Sequence, residues 1–187
     1  MLQPRRKISA EYPLVYSVQL STDGKYLLTY SSSVDRRKAK AQVWSTSTGK
    51  EITSVRTASS SKVKLSPQAD LILVATNKGK VKTYDMRGVL KREWVADKKA
   101  VVQADFSPNG SRVVTVGSER SVKVWSSRSG RKQWEGEAMD SMPYALLFSD
   151  LGDERGLRIY VAGEDGVPLG WSLEEEEPVQ RLAEAEI

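Results

Sequence analysis

Enzymes need side chains that exchange protons or electrons, and this chain lacks the usual ones. Its 187 residues include no histidine and no cysteine. That removes the commonest general base, the commonest metal ligand, thiolate nucleophiles and sulfur-ligated zinc together. Four serines recur along the chain, Ser21, Ser66, Ser107 and Ser149. A serine hydroxyl is a weak nucleophile without a neighbouring base, and each of these stands just before a turn. Asp23 and Asp105 are isolated carboxylates, for which structural roles are expected. Gly163-Glu164-Asp165-Gly166 and residues 150–156 lack the spacing of a calcium loop and read as turns. No glycine-rich phosphate loop of recognised spacing is present. The expectation is a protein that is not an enzyme and uses no cofactor or metal.

The sequence does offer charge for binding. The formal net charge is +5, unevenly spread. Residues 1–134 hold 26 Lys and Arg against 10 Asp and Glu, a balance of +16, whereas residues 135–187 hold 3 against 14, a balance of −11. Such a split suits ends that attract each other, or faces serving different partners; ordinary solvated strand and turn positions would produce it equally. Basic residues gather in Asp35-Arg36-Arg37-Lys38, Asn77-Lys78-Gly79-Lys80 and Ser118-Glu119-Arg120, with Lys98 and Lys99 between them; Glu164-Asp165-Gly166 is the acidic counterpart. The candidate partner-binding residues are therefore Arg36, Arg37, Lys38, Lys78, Lys80, Lys98, Lys99 and Arg120. Such an arc suits an acidic protein segment or a phosphate backbone. No aromatic residue interleaves with these loops to stack bases and no recognition helix is evident, so nucleic acid ranks behind protein as the partner.

The elements that hold these loops repeat. Apolar strands end in Gln19-Leu20-Ser21, Val63-Lys64-Leu65-Ser66, Ala104-Asp105-Phe106-Ser107 and Leu146-Leu147-Phe148-Ser149. Turns follow, two of them the Asp-Gly and Asn-Gly pairs that accept positive φ. Second strands come next at Tyr26–Thr29, Leu71–Ala75, Val113–Val116 and Leu157–Val161. Third strands end in the aromatics Trp44, Tyr84, Trp125 and Trp171, and weaker fourth strands are expected at Glu51–Arg56, Lys91–Val95, Lys132–Glu135 and Val179–Leu182. Four short strands in about 40–45 residues is the period of a propeller blade, whose small sheet buries its faces only by stacking on neighbours. No helix-period segment competes, and no apolar run approaches the roughly 20 residues of a membrane span. The N-terminus has basic residues with no apolar region behind them, so no secretory signal is expected.

Phe106-Ser107-Pro108-Asn109-Gly110-Ser111-Arg112-Val113-Val114, followed by Ser121-Val122-Lys123-Val124-Trp125, resembles a WD40 repeat, and the resemblance extends from about Leu14 to Leu182. It implies an all-β fold of four four-stranded propeller blades in a single domain over residues 1–187. The blades would fall at approximately 14–57, 58–96, 97–138 and 139–185, with residues 1–13 an N-terminal segment able to act as a closing strand. The third-strand aromatics would pack between blades. The family's buried His–Ser/Thr–Asp–Trp hydrogen-bond network cannot form without histidine, and only Tyr84-Asp85 keeps the acidic residue after the aromatic, so rigidity is expected mostly from apolar packing.

The resemblance also implies function: a non-catalytic scaffold or adaptor that binds proteins within a larger assembly. The alternative is an RNA- or ribosome-associated subunit using the basic blades. Family rings usually have seven or eight blades, so four would make a partial ring. Two copies could join, another chain could supply blades, or four blades could close on themselves. Arg5-Arg6-Lys7 and Glu174–Glu177 could attract one another and assist closure or assembly. The expected setting is intracellular and cytoplasmic, with the nucleus open as well, and no membrane partner.

Overall fold

In the computed structural model, which describes residues 8–150 and 157–173, every helix or strand among the described residues is a β-strand. Each repeat folds into one antiparallel meander. The first blade comprises β1 (Leu14–Leu20), β2 (Tyr26–Ser32), β3 (Ala39–Ser45) and β4 (Glu51–Thr57). The second holds β5 (Lys62–Leu65), β6 (Leu71–Ala75), β7 (Lys80–Asp85) and β8 (Leu90–Val95). The third holds β9 (Val101–Phe106), β10 (Arg112–Gly117), β11 (Ser121–Ser126) and β12 (Lys132–Ala138). In the fourth, β13 (Pro143–Asp150), β14 (Leu157–Gly163) and β15 (Leu169–Ser172) are described. The strand expected at Val179–Leu182, and the termini carrying Arg5–Lys7 and Glu174–Glu177, lie outside the described residues.

The recurring serines hold turns. Ser21 Oγ donates to Asp23 and accepts the Tyr26 N–H. Ser66 does the same with Asp70 and Leu71, and Ser107 with Asn109 and Arg112. A short polar side chain that satisfies backbone groups within a turn favours the reversal over continued strand. Gly24 and Gly110 take φ of +70° in two of these turns, while Ala69 adopts +55° in the second blade, a conformation an L-residue enters only at a cost.

Side chains alternate across each strand, so every sheet has two faces. Leu28, Tyr30, Ala41 and Val43 of the first blade meet Val63, Leu65, Ile72 and Val74 of the second. Leu73, Ala75 and Val81 of the second meet Ala104, Phe106, Val113 and Trp125 of the third. Val114, Val116, Val122 and Val124 of the third meet Phe148, Ile159, Val161 and Trp171 of the fourth. The core is therefore three apolar layers between four sheets. First strands lie side by side, β1 with β5, β5 with β9 and β9 with β13, and no comparable contact joins β13 to β1. The described residues form an open arc, a partial propeller.

Candidate partner-binding surface

The ends of the arc are unlike its interior. The residue just before each closing serine is Leu20, Leu65, Phe106 or Phe148, and its side chain faces the preceding blade. Leu65, Phe106 and Phe148 are 1%, 5% and 8% exposed, whereas Leu20 is 54% exposed. Two residues earlier, Val63 and Ala104 are buried and Val18 is 60% exposed. Register confirms the facing. Val18 and Leu20 pair with Thr29 and Leu27, which alternate with the core residues Leu28 and Tyr30. The first blade thus shows the surface that every other blade buries against its predecessor.

The opposite face has its own recurring slot, two residues before the serine. Gln19 fills it in the first blade, with Nε2 donating to the Leu65 carbonyl and Oε1 accepting the Leu65 N–H, both at 2.9 Å. Lys64 fills it in the second and pairs with Asp105 of the third at 2.7 Å. In the third blade the slot holds Asp105, the partner of Lys64, and Gln103, two residues earlier, donates from Nε2 to the Tyr144 carbonyl. The fourth blade places Leu147 in the slot, 61% exposed and paired with Tyr160.

The basic loops lie at one end of the sheets, and backbone hydrogen bonds stitch most of them together. The Gly79 carbonyl accepts the N–H groups of Ala96 and Asp97, and the Ala100 carbonyl accepts the Ser118 N–H. Asp97, buried to 3% exposure, is the knot. Its Oδ1 accepts the N–H groups of Lys99 and Ala100, and its Oδ2 that of Glu119. This brings the loops carrying Lys78, Lys80, Lys98, Lys99 and Arg120 onto one face. Arg120 sits at φ +64° and donates to the Asp140 carbonyl. The turn of Arg36, Arg37 and Lys38 occupies the matching end of the first blade, braced by Asp35, which accepts the Arg37 N–H and the Ser33 hydroxyl. Part of the positive charge is matched locally. Lys80 and Lys82 share Glu93 at 2.6 and 3.0 Å, and Lys98 meets Glu119 at 3.2 Å. These lysines hold the Glu93 carboxyl below its ordinary range, as Lys98 and Lys123 do for Glu119. In the acidic sector, Glu164 accepts the Tyr144 hydroxyl.

The four aromatics sit within the sheet stack. Trp125 and Trp171 are buried in the layers beneath their preceding blades, and Tyr84 packs half-buried against the first blade. Trp44 lies on the open side of the first blade yet is buried. Its Nε1 donates to Thr29 Oγ1 at 2.9 Å, and Trp125 repeats the bond with Thr115 at 2.8 Å. The same Thr–Trp bond thus recurs in the first and third blades without histidine. Sequence reasoning missed Gln19 and the Lys64–Asp105 pair, whose partners lie more than 40 residues away, and the Asp97 knot, whose bond to Glu119 spans 22 residues. It also missed Trp94, whose ring stacks obliquely on Trp125 at 6.0 Å.

Residues 88–126 match the family model described as WD domain, G-beta repeat. The match runs from the turn before β8 through β11, so the sequence repeat straddles two sheets and laces one blade to the next. No curated protein matches the chain. WD40 domains typically act as non-catalytic scaffolds that bind proteins. With its four antiparallel sheets, the chain is a partial β-propeller that carries a WD40 repeat at residues 88–126.

Proposed function

We propose that this protein is a non-catalytic scaffold within a larger assembly, binding protein partners through the end faces of its arc and, secondarily, through its basic loop face. One observation carries the reading: Val18 and Leu20 stand exposed at positions whose equivalents in the other blades are interblade core. Contiguous apolar surface of this kind on a folded protein marks an interaction site. The recurrent serines support a non-enzymatic role, because the hydroxyls of Ser21, Ser66 and Ser107 are engaged in turns. On the loop face, Arg36, Arg37, Lys78 and Lys99 suit an acidic segment of a partner.

The test is a comparison of thermal stability. At a dilution where the chain is unassociated, replacing Val18 and Leu20 together by serine should leave the melting temperature within about 2 °C of wild type, as for surface sites, while abolishing binding of a polarity-sensitive dye. Leu65→Ser should lower it steeply. Equal destabilisation by both variants would mean that Val18 and Leu20 serve internal packing, and the scaffold reading of this face would fall.

A further inference from the structure

We propose that the occupant of both end faces is a second copy of this chain, joined head to tail so that two arcs close an eight-bladed ring. The inference rests on the end faces being partner surfaces, and it names the partner.

Three interfaces of one kind already exist within the chain. In each, the following face of one blade receives the preceding face of the next. The arc ends on the two halves of a fourth. The first blade offers a preceding face, with Val18 and Leu20 where Val63 and Leu65, or Ala104 and Phe106, are buried. The fourth offers a following face, with Leu147 in the slot from which Gln19 and Lys64 reach the next blade. Leu147 brings an apolar side chain to a neighbour's apolar first strand. Within one chain these halves stay apart, since β13 does not lie beside β1.

The approach to the first blade also resembles an interior one. Where the chain enters the third blade, the Ala96 carbonyl accepts Lys123 Nζ. Where it enters the first, the Glu11 N–H donates to Gln42, which holds the same position relative to its tryptophan, and the Glu11 carboxylate pairs with Lys40. The outer part of the open face is thus covered as inside the arc, and the inner strand β1 is left for a neighbouring blade.

Charge favours the same pairing. Residues 14–57 hold seven Lys and Arg against three Asp and Glu, and the described part of the fourth blade sets Asp140, Glu164 and Asp165 against Arg158. A basic end meeting an acidic end steers association and disfavours like-to-like docking. A head-to-tail contact that closes under a two-fold axis forms two interfaces in one event and leaves no free end.

The experiment is light scattering on the full chain and on two variants, Leu20→Asp and Leu147→Asp, each first checked for wild-type circular dichroism. Wild type should have a mass near 42 kDa, twice the 20.8 kDa chain. Each variant should be monomeric at the same concentration, with association weakened by at least about a hundredfold. An equimolar mixture of the two should regain a dimer, because each supplies the face the other has lost. A wild-type monomer at all concentrations overturns the proposal while leaving the scaffold reading intact. Dimeric Leu147→Asp would mean that first blades pair with each other, and a mixture that stays monomeric would refute head-to-tail contact. Masses that climb past the dimer would show an open chain in place of a ring.

Discussion

The amide of Gln19 grips the backbone of Leu65 across the boundary between the first two blades, donating to its carbonyl and accepting its N–H. No sheet hydrogen bond joins these strands, so one side chain supplies what a ladder would. Gln19→Ala leaves both Leu65 groups without that partner and should cost about 1–2 kcal/mol in denaturant unfolding. Gln19→Glu sets a carboxylate against the Leu65 carbonyl and should cost at least as much. An unchanged midpoint for both would show that the clamp does not hold the blades.

Two buried threonines should respond oppositely to the same substitution. Thr115 accepts the bond from Trp125 Nε1, so Thr115→Val strands a buried donor and should destabilise by about 1–3 kcal/mol. The Thr83 hydroxyl is fully buried and has no hydrogen-bond partner. Thr83→Val should therefore be neutral or stabilising by up to about 1 kcal/mol. Unfolding of both variants under identical conditions gives the comparison, and destabilisation by Thr83→Val would contradict it.

Two glycines with nearly the same φ differ in their surroundings. A Cβ at Gly24, φ +70°, meets nothing within 4 Å, whereas one at Gly79, φ +72°, falls 1.9 Å from the Asp97 carbonyl oxygen. Gly24→Ala should cost only the left-handed penalty of roughly 1 kcal/mol. Gly79→Ala should cost more and loosen the linker that Asp97 organises, seen as faster amide exchange at Lys99, Ala100 and Glu119. Equal effects at the two sites would remove the close approach as an explanation.

Acid should weaken the fold partly through Glu93. Its folded pKa is lowered by Lys80 and Lys82, so its contribution is fully present above the unfolded glutamate value of about 4.3 and is lost as pH falls through the lower folded value. Glu93→Gln should melt lower than wild type at neutral pH, and the gap should close on acidification. The carboxylate is partly solvated, so the effect should be small and shrink with salt. A gap that persists at pH 3 would point to packing in place of charge.

Much of the fold was legible because its signals are local. Serine, turn glycine, alternating strand and closing aromatic all act within one hairpin, and the described strands lie where that pattern puts them. The basic loops could be named for the same reason, and their gathering on one face follows from a meander that turns at the same sheet end in each repeat. The Lys64–Asp105 pair was not legible, because nothing local marks a charge whose partner belongs to another blade, and the Asp97 knot was not, because its bond to Glu119 forms only once β9 and β10 have brought the linker and the next loop together.

By itself, the sequence determined that four similar units of strand and turn form, each with two faces that must be covered. Val18 and Leu20 look in sequence like Val63 and Leu65, and the strand that carries them is equally apolar. Only the tertiary structure decided that one pair is core and the other is surface. Burial depends on whether a neighbouring first strand lies alongside, and among the described residues β1 has β5 on one side and no comparable first strand on the other.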